Sequence, residues 1–125
     1  VTFHERLDYT SYRDLLRDSD IHVYFSRPFI ASWGLVEALS CGCCIIASDI
    51  HMVREIVQES AFLVDHTNLD HAIASMEQII QSPELRRKLS QLARKRASGA
   101  YDVSNTTRAL MTAMSTALTI PVKAS

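Results

Sequence analysis

Four short apolar segments along the chain have the composition of buried β-strands, and stretches with helical periodicity separate them. The segments are residues 1–3, 21–25, 44–47 and 62–64. Their β-branched and aromatic residues suit strands that are covered on both faces of a parallel sheet. The alternation of strand and helix therefore predicts an α/β fold with a parallel sheet of about four strands and right-handed crossovers.

Between these strands, apolar periodicity predicts helices over residues 9–18, 33–40 and 51–57. The expected inward-facing residues are Tyr12, Leu15 and Leu16 in the first helix and Leu35, Ala38 and Leu39 in the second. Ser32 is the expected N-cap of the second helix, and Gly42 is expected to end it as a C′ residue. Pro28 is expected to close the strand before it.

After the last strand the pattern is helical throughout, which predicts a set of helices that cover the sheet. The expected apolar stripes are Leu69, Ile73, Met76 and Ile80 in one helix and Leu85, Leu89, Leu92 and Ala93 in the next. Pro83 is expected to begin that second helix and Gly99 to end it. A final helix with Leu110, Ala113, Met114 and Ala117 is expected to begin at Asp102 or Ser104 and to stop before Pro121.

The composition indicates one soluble domain with a single core, which we expect to cover residues 1–118 and to be followed by a tail at 119–125. The chain has 125 residues and 47% hydrophobic content. Thirteen basic and fourteen acidic residues leave almost no net charge to bind nucleic acid or an anionic membrane. No signal-peptide pattern begins the sequence, so a cytoplasmic location is expected, with a peripheral membrane contact left open.

The cysteines, histidines and basic clusters are expected to have structural roles. Cys43 and Cys44 enter a strand and would point to opposite faces, so neither a disulfide nor a metal site is expected. The five histidines are scattered and have no pattern of catalytic partners around them. The basic residues at 86–88 and 94–96 are interpreted as a solvated helix face, and phosphate binding is the alternative.

Residues 27–48 carry the most information about chemistry, because they are predicted to form a loop, a helix with a carboxylate, a turn and a buried strand. In an open α/β sheet, ligands bind at the carboxyl ends of the strands, where helix amino termini hold anions. Glu37 lies one turn into such a helix and can accept hydrogen bonds from a sugar hydroxyl. The alternative is an ordinary solvated carboxylate.

The sequence Arg-Pro-Phe-Ile-Ala-Ser-Trp-Gly-Leu-Val-Glu-Ala-Leu-Ser-Cys-Gly at residues 27–42 resembles the donor-site segment of group 1 (family 4) retaining glycosyltransferases. The likeness continues through residues 45–49, 53–57 and 62–65. It implies the GT-B fold, of which this chain would form part of the Rossmann-like donor-binding domain. By this resemblance, Glu37 corresponds to the second glutamate of a Glu-x7-Glu pattern and binds the ribose hydroxyls of the donor. Phe29 occupies the position of the first glutamate.

The resemblance also implies further contacts with a nucleotide-sugar donor. The backbone amides of Ser32, Trp33, Gly34 and Leu35 are the expected phosphate contacts, and glycine at 34 would let a ligand approach the backbone. Tight helix packing is the alternative reason for that glycine. Arg6 and Leu7 follow the first strand in a segment similar to the family's Phe-x-Gly-Arg-Val turn, whose backbone contacts the base, although Glu5 replaces the glycine.

The resemblance places the acceptor domain, and two strands of the donor domain, outside this chain. We therefore expect residues 1–3 to move beside residues 21–25, or two chains to pair through an exposed strand edge. The chain alone is expected to bind nucleotide only weakly and without turnover, and no residue in it is assigned as catalytic. The expected donor of the full enzyme is a UDP-, GDP- or ADP-sugar. No cofactor is expected. The alternatives are a non-catalytic α/β interaction module and another GT-B enzyme, such as an epimerase or a phosphorylase.

Overall fold

The computed structural model describes residues 1–27 and 32–119 and confirms an α/β fold. Predictions about Pro28, Phe29 and Pro121 fall outside these ranges. The helices are α1 (Tyr9–Asp18), α2 (Trp33–Cys41), α3 (His51–Val57), α4 (Leu69–Gln81), α5 (Pro83–Ala100) and α6 (Val103–Thr119). The strands are β1 (His22–Tyr24), β2 (Ile45–Ser48) and β3 (Phe62–Val64). Within the described ranges, no helix is long and apolar enough to cross a membrane.

The described strands form one parallel sheet in the order β1-β2-β3. All four residues of β2 are buried, because helices cover both faces of the sheet. Ile45 and Ala47 belong to the core cluster beneath α1, α2 and α3, whereas Ile46 packs in the cluster beneath α4. Side chains that alternate in direction along a strand produce this division.

The described sheet has three strands rather than about four, because residues 1–3 do not join it. They have no regular structure, and the side chains of Val1 and Phe3 are exposed. The expectation that this segment moves beside β1 is therefore wrong. A segment of three residues gains ladder hydrogen bonds and burial only beside a strand that accepts it, and composition alone cannot specify that neighbour.

The prediction of an interior strand at residues 21–25 is also wrong for the described chain, since β1 is an edge of the sheet. Val23 and Phe25 are 45% and 41% exposed. An exposed edge of this kind can pair with another chain. The expected pairing of two chains through this edge stays a prediction.

The helix ends follow the expected chemistry in most places. The Asp8 carboxylate accepts a hydrogen bond from the Ser11 amide at 3.1 Å and caps α1. Gly42 ends α2 in the left-handed region at φ 76°, as predicted. Gly99 does not end α5: the helix continues to Ala100, and the Tyr101 amide still bonds to the Ala97 carbonyl at 2.8 Å. A Cβ added at Gly99 would meet no atom of the described residues within 4 Å, so close packing does not require glycine at this position.

The predicted apolar faces of three helices differ from those observed. Helix α4 buries Ala72, Ser75 and Ile79, while Leu69, Ile73 and Ile80 of the predicted stripe are exposed. Leu15 of α1 is also exposed, although Leu16 is buried. Leu110 and Met114 of α6 are exposed as well, so this helix does not cover the sheet as predicted. Apolar periodicity identifies a helix, but several stripes one residue apart have similar hydrophobicity, and packing selects among them.

Three arginines of α5 bind the carboxyl ends of three other helices, which corrects the prediction of a solvated basic face. Arg86 donates to the carbonyls of Ile79 and Ile80 at the end of α4. Arg94 donates to the Ser40 carbonyl near the end of α2. The last carbonyls of a helix have no partner within it and carry partial negative charge, so a guanidinium satisfies them and complements the helix dipole.

Arg96 makes the corresponding contact with α3. It donates to the carbonyls of Ile56 and Glu55, both at 2.9 Å, and its guanidinium lies 5.3 Å from the centre of the Tyr101 ring. The neighbouring Lys95 is exposed. In the basic cluster at residues 94–96, Arg94 and Arg96 therefore bind other helices, whereas Lys95 is solvated.

We predict that Arg96→Met lowers the free energy of unfolding by about 1–3 kcal/mol, because two carbonyls lose a charged donor. Lys95→Met is the matched control and should change it by less than about 0.5 kcal/mol, as for other surface positions. Urea denaturation followed by circular dichroism measures both. Equal effects of the two substitutions would contradict the capping role of Arg96.

Candidate functional site

The groove between α1 and α2 holds the carboxylate that the sequence singled out. Its volume is about 330 Å³. Aromatic and charged residues line it, namely Tyr9, Tyr12, Arg13, Arg17, Trp33 and Glu37. Because α2 follows the carboxyl end of β1, its first turn lies at the edge of the sheet where ligands bind in open α/β folds. An exposed aromatic rim beside a carboxylate suits a ligand with both an apolar face and hydroxyl groups.

Glu37 is half-buried in the second turn of α2 and faces Tyr12 across this groove. Burial raises the pKa of the Tyr12 phenol, and the negative charge of the nearby Glu37 raises that pKa further. The phenol is therefore protonated at neutral pH. Sequence reasoning placed Tyr12 only in the core, since its inward position gave no signal of a polar partner.

Within the part of the chain that the structure describes, three amides in the first turn of α2 have no acceptor. Ser32 occupies the N-cap position as predicted, but its side chain makes no capping hydrogen bond. The first helical bond runs from the Val36 amide to the Ser32 carbonyl at 3.4 Å. The amides of Trp33, Gly34 and Leu35 have no acceptor within residues 1–27 or 32–119. Open amides at a helix amino terminus can hold a phosphate.

The side chains of this first turn differ in what they can offer a ligand. Trp33 is 79% exposed and also lines a second, largely apolar groove between α2 and α3 with Met52 and Ile56. The Leu35 side chain is fully buried, so only its backbone is available. A Cβ at Gly34 would lie 3.6 Å from the Ser32 hydroxyl and 3.7 Å from the Tyr12 hydroxyl. These are ordinary contacts, so tight packing does not require glycine here.

Arg6 and Leu7 do not line this groove. Both lie in the irregular segment before α1, where Arg6 is exposed and Leu7 is half-buried. Arg6 has no hydrogen bond or ion pair with any residue in the described ranges. The structure therefore brings Glu37 together with residues 32–35 on one helix, and does not bring Arg6 and Leu7 to the same groove.

Polar contacts and one pair of stacked rings hold the loops at the carboxyl ends of the strands. The Ser26 amide donates to the buried Ser48 hydroxyl at 2.8 Å. The Phe25 and His66 rings stack with their centres 5.7 Å apart. Arg54 pairs with Asp49, with N···O distances of 2.5 and 2.7 Å. The first two contacts gave no signal in the sequence, because each joins residues that come together only when the strands align.

Two of the three cysteines are buried thiols, as predicted. Cys43 and Cys44 are buried, Cys41 is half-buried, and all three are free. Burial raises the pKa of Cys43 to about 11, and its thiol donates to the Leu16 carbonyl at 3.2 Å. Among the residues that the structure describes, no three potential metal ligands cluster.

Comparisons with known proteins identify relatives of both the sequence and the fold. Residues 1–96 match the family described as "Glycosyl transferases group 1". The fold is similar to sucrose-phosphate synthase from Thermosynechococcus elongatus, with a TM-score of 0.69 and 22% sequence identity. That match covers 90% of this chain and 30% of the synthase chain. No curated protein sequence gave a significant match. At this identity, the structural likeness shows a shared fold.

We predict that Glu37→Gln lowers the pKa of Tyr12, because a negative charge beside the phenol is removed. The pKa should stay above the ordinary value for tyrosine, since burial is the larger cause of its elevation. A pH titration of the tyrosine Cζ resonance by NMR measures it. Glu77→Gln, on the exposed face of α4, is the matched control. An unchanged Tyr12 pKa in Glu37→Gln would show that the two groups do not interact.

We predict that Gly34→Ala stabilises the protein by up to about 1 kcal/mol, since alanine is the better helix former and the added Cβ meets only ordinary contacts. Thermal unfolding measures the change. A loss of stability would show that packing around residue 34 requires glycine.

Proposed function

This chain belongs to the group 1 glycosyltransferase family, and we propose that it binds the nucleotide-sugar donor of a retaining enzyme. The observation that carries the proposal is the position of Glu37, half-buried in the α1–α2 groove one turn beyond the open amides of α2. These two features offer separate contacts for a ribose and for a diphosphate.

The amino end of α2 supports the diphosphate part of the proposal. The amides of Trp33, Gly34 and Leu35 and the positive end of the helix dipole favour an anion at this position. Glycosyl transfer breaks the bond between the donor sugar and the phosphate through a transition state that resembles an oxocarbenium ion. Stabilising the departing nucleoside diphosphate lowers the barrier to that step. Residues 33–35 would supply this stabilisation.

Glu37 supports the nucleoside part. An ionised carboxylate accepts hydrogen bonds and donates none, so its natural partners are hydroxyl groups. The exposed rings of Trp33 and Tyr9 at the same groove can stack on a base. UDP, GDP and ADP all satisfy this description, so the groove does not select among them by these contacts alone.

The activity of the whole enzyme is a further part of the proposal. This chain spans 30% of the length of the synthase chain that it resembles. We propose that the acceptor, a glycan or a lipid, is bound by another domain, so that these 125 residues bind the donor without transferring the sugar. By family resemblance, the complete enzyme would act in polysaccharide biosynthesis in the cytoplasm.

A non-catalytic interaction module is the second candidate, and the exposed apolar surface favours it. Val23 at the open edge of β1 and Leu110 and Met114 on α6 are exposed. Surfaces of this kind often contact other proteins. This function requires no ligand in the α1–α2 groove, so nucleotide binding distinguishes the two candidates.

Titration with UDP, GDP and ADP, followed by ¹H–¹⁵N NMR, tests donor binding. We expect at least one nucleotide to shift the amide resonances of residues 32–37 in a saturable manner. Glu37→Gln should weaken that binding about tenfold or more, since hydrogen bonds to a charged group are worth about 1.5–3 kcal/mol. Glu77→Gln should bind as the unmodified protein does.

Two results would contradict the proposal. One is the absence of saturable shifts with all three nucleotides at millimolar concentration. The other is a set of shifts confined to the opposite side of the sheet, around α4. Either result would favour the interaction module.

A further inference from the structure

We propose that a second groove, between the end of α1 and the first two turns of α5, binds a phosphate monoester. Its volume is about 300 Å³. The inference is independent of donor binding, because the groove is separate from the amino end of α2. The charged and hydroxyl side chains that line this α1–α5 groove are Arg17, Ser19, Asp20, Arg86, Arg87 and Ser90.

The α1–α5 groove lies at the edge of the sheet opposite to the candidate donor site. Ser19 and Asp20 come shortly before β1, and Gly42, which also lines the groove, comes shortly before β2. The amino ends of parallel strands meet at one edge of the sheet, whereas α2 begins beyond their carboxyl ends. A ligand here would therefore leave the amides of residues 33–35 free.

One face of α5 supplies two of the arginines. Arg86 and Arg87 precede Ser90 by four and three residues, which places all three on the same side of the helix. Arg17, in the last turn of α1, completes the basic lining. Lys88 is exposed and does not line the groove. The fold therefore gathers arginines from two helices and leaves the neighbouring lysine in solvent.

Most of the guanidinium N–H groups in this groove are available to a ligand. Arg17 and Arg87 are exposed and form no hydrogen bond or ion pair within the described ranges. Arg86 donates to the end of α4 through one terminal nitrogen, so its other N–H groups remain. Three like charges on one small groove repel each other, and an anion between them would remove that repulsion.

The charge of the groove suits a dianion. Asp20 is the one acidic residue among the described residues that line it, so three guanidinium groups and one carboxylate leave an excess of two positive charges. Within the described ranges, Asp20 forms no ion pair with these arginines. A phosphate monoester carries a charge of about −1.5 to −2 at pH 7. A carboxylate ligand would neutralise only half of the excess.

The kinds of donor in the groove also favour phosphate. A guanidinium group is planar and donates two parallel N–H bonds to a pair of phosphate oxygens, which an ammonium group cannot do. The Ser90 hydroxyl has no hydrogen bond within the described ranges and can donate to a further oxygen. The Ser19 hydroxyl already donates to the Leu15 carbonyl at 2.7 Å. A carboxylate has only two oxygens and would use fewer of these donors.

Titration with glycerol phosphate, followed by ¹H–¹⁵N NMR at constant ionic strength, tests the site. We expect saturable shifts at millimolar concentration in the amide resonances of residues 17–20, 42 and 84–90. Acetate, a monoanion, should bind at least about fivefold more weakly, because it forms fewer charged hydrogen bonds. Constant ionic strength separates binding from general screening of the arginines.

Two pairs of variants test the charges in opposite directions. Arg87→Gln should weaken glycerol phosphate binding about fivefold or more, because a charged bidentate donor is lost. Lys88→Gln is its matched control and should change the Kd by less than about twofold at physiological salt. Asp20→Asn should strengthen binding about twofold or more, since a like charge leaves the groove. Asp18→Asn, at an exposed position outside the groove, is the control for that change.

The phosphate monoester could be a soluble compound or the headgroup of a lipid, and vesicles distinguish the two. The vesicles contain four parts phosphatidylcholine and one part phosphatidic acid. Sedimentation of the protein with them, lost in Arg87→Gln and retained in Lys88→Gln, would identify a lipid headgroup. Saturable binding of glycerol phosphate without sedimentation would identify a soluble ester.

Three results would overturn the inference. The first is the absence of saturable shifts with glycerol phosphate. The second is a set of shifts confined to residues 33–35, which would assign phosphate binding to α2 instead. The third is equal weakening by Arg87→Gln and Lys88→Gln, because that result would indicate attraction to the overall charge of α5. None of the three bears on nucleotide binding in the α1–α2 groove.

Discussion

Helix α5 binds the carboxyl ends of three other helices, α2, α3 and α4, through its arginines. Arg94 donates to the Ser40 carbonyl of α2, and Arg96 donates to the Ile56 carbonyl of α3. Small residues on the same face, Ala93 and Ala97, are buried and allow α5 to approach the core closely. These contacts help to hold α2 and α3 against α5, because the last carbonyls of a helix have no hydrogen-bond donor within it and a guanidinium satisfies them.

The two ends of α2 differ in how their backbone groups are satisfied. At its carboxyl end, the chain turns in the left-handed region at Gly42, and a Cβ there would lie 3.7 Å from the Ser90 carbonyl of α5. At its amino end, the amides of residues 33–35 have no acceptor within the described ranges. A helix that is anchored at one end and open at the other presents unused donors in a fixed position. These donors lie one turn before Glu37, which lines the α1–α2 groove. The proposal of donor binding rests on this arrangement.

Much of the local structure was predictable because it depends on neighbours in the sequence. The bounds of α1 and α3 agree with the predicted ones, and Gly42 was expected to end α2. The position of Glu37 one turn into a helix was likewise expected. By contrast, Tyr12 was expected only to pack, and the arginines of α5 were expected to be solvated. Glu37, which lines the same groove as Tyr12, and the Ser40 and Ile56 carbonyls that Arg94 and Arg96 bind all lie far away in the sequence.

The amino-acid sequence by itself determined the alternation of strands and helices, the family, and the residues able to carry charge at a ligand site. These properties follow from composition, periodicity and short motifs, all of which act over a few residues. Only the tertiary structure decided that residues 1–3 stay out of the sheet and that α4 buries Ile79 rather than Ile80. It also brought Tyr12 to Glu37. The physical reason is that burial and hydrogen bonding between distant segments depend on how helices pack on the sheet, and local propensity leaves several packings nearly equal in energy.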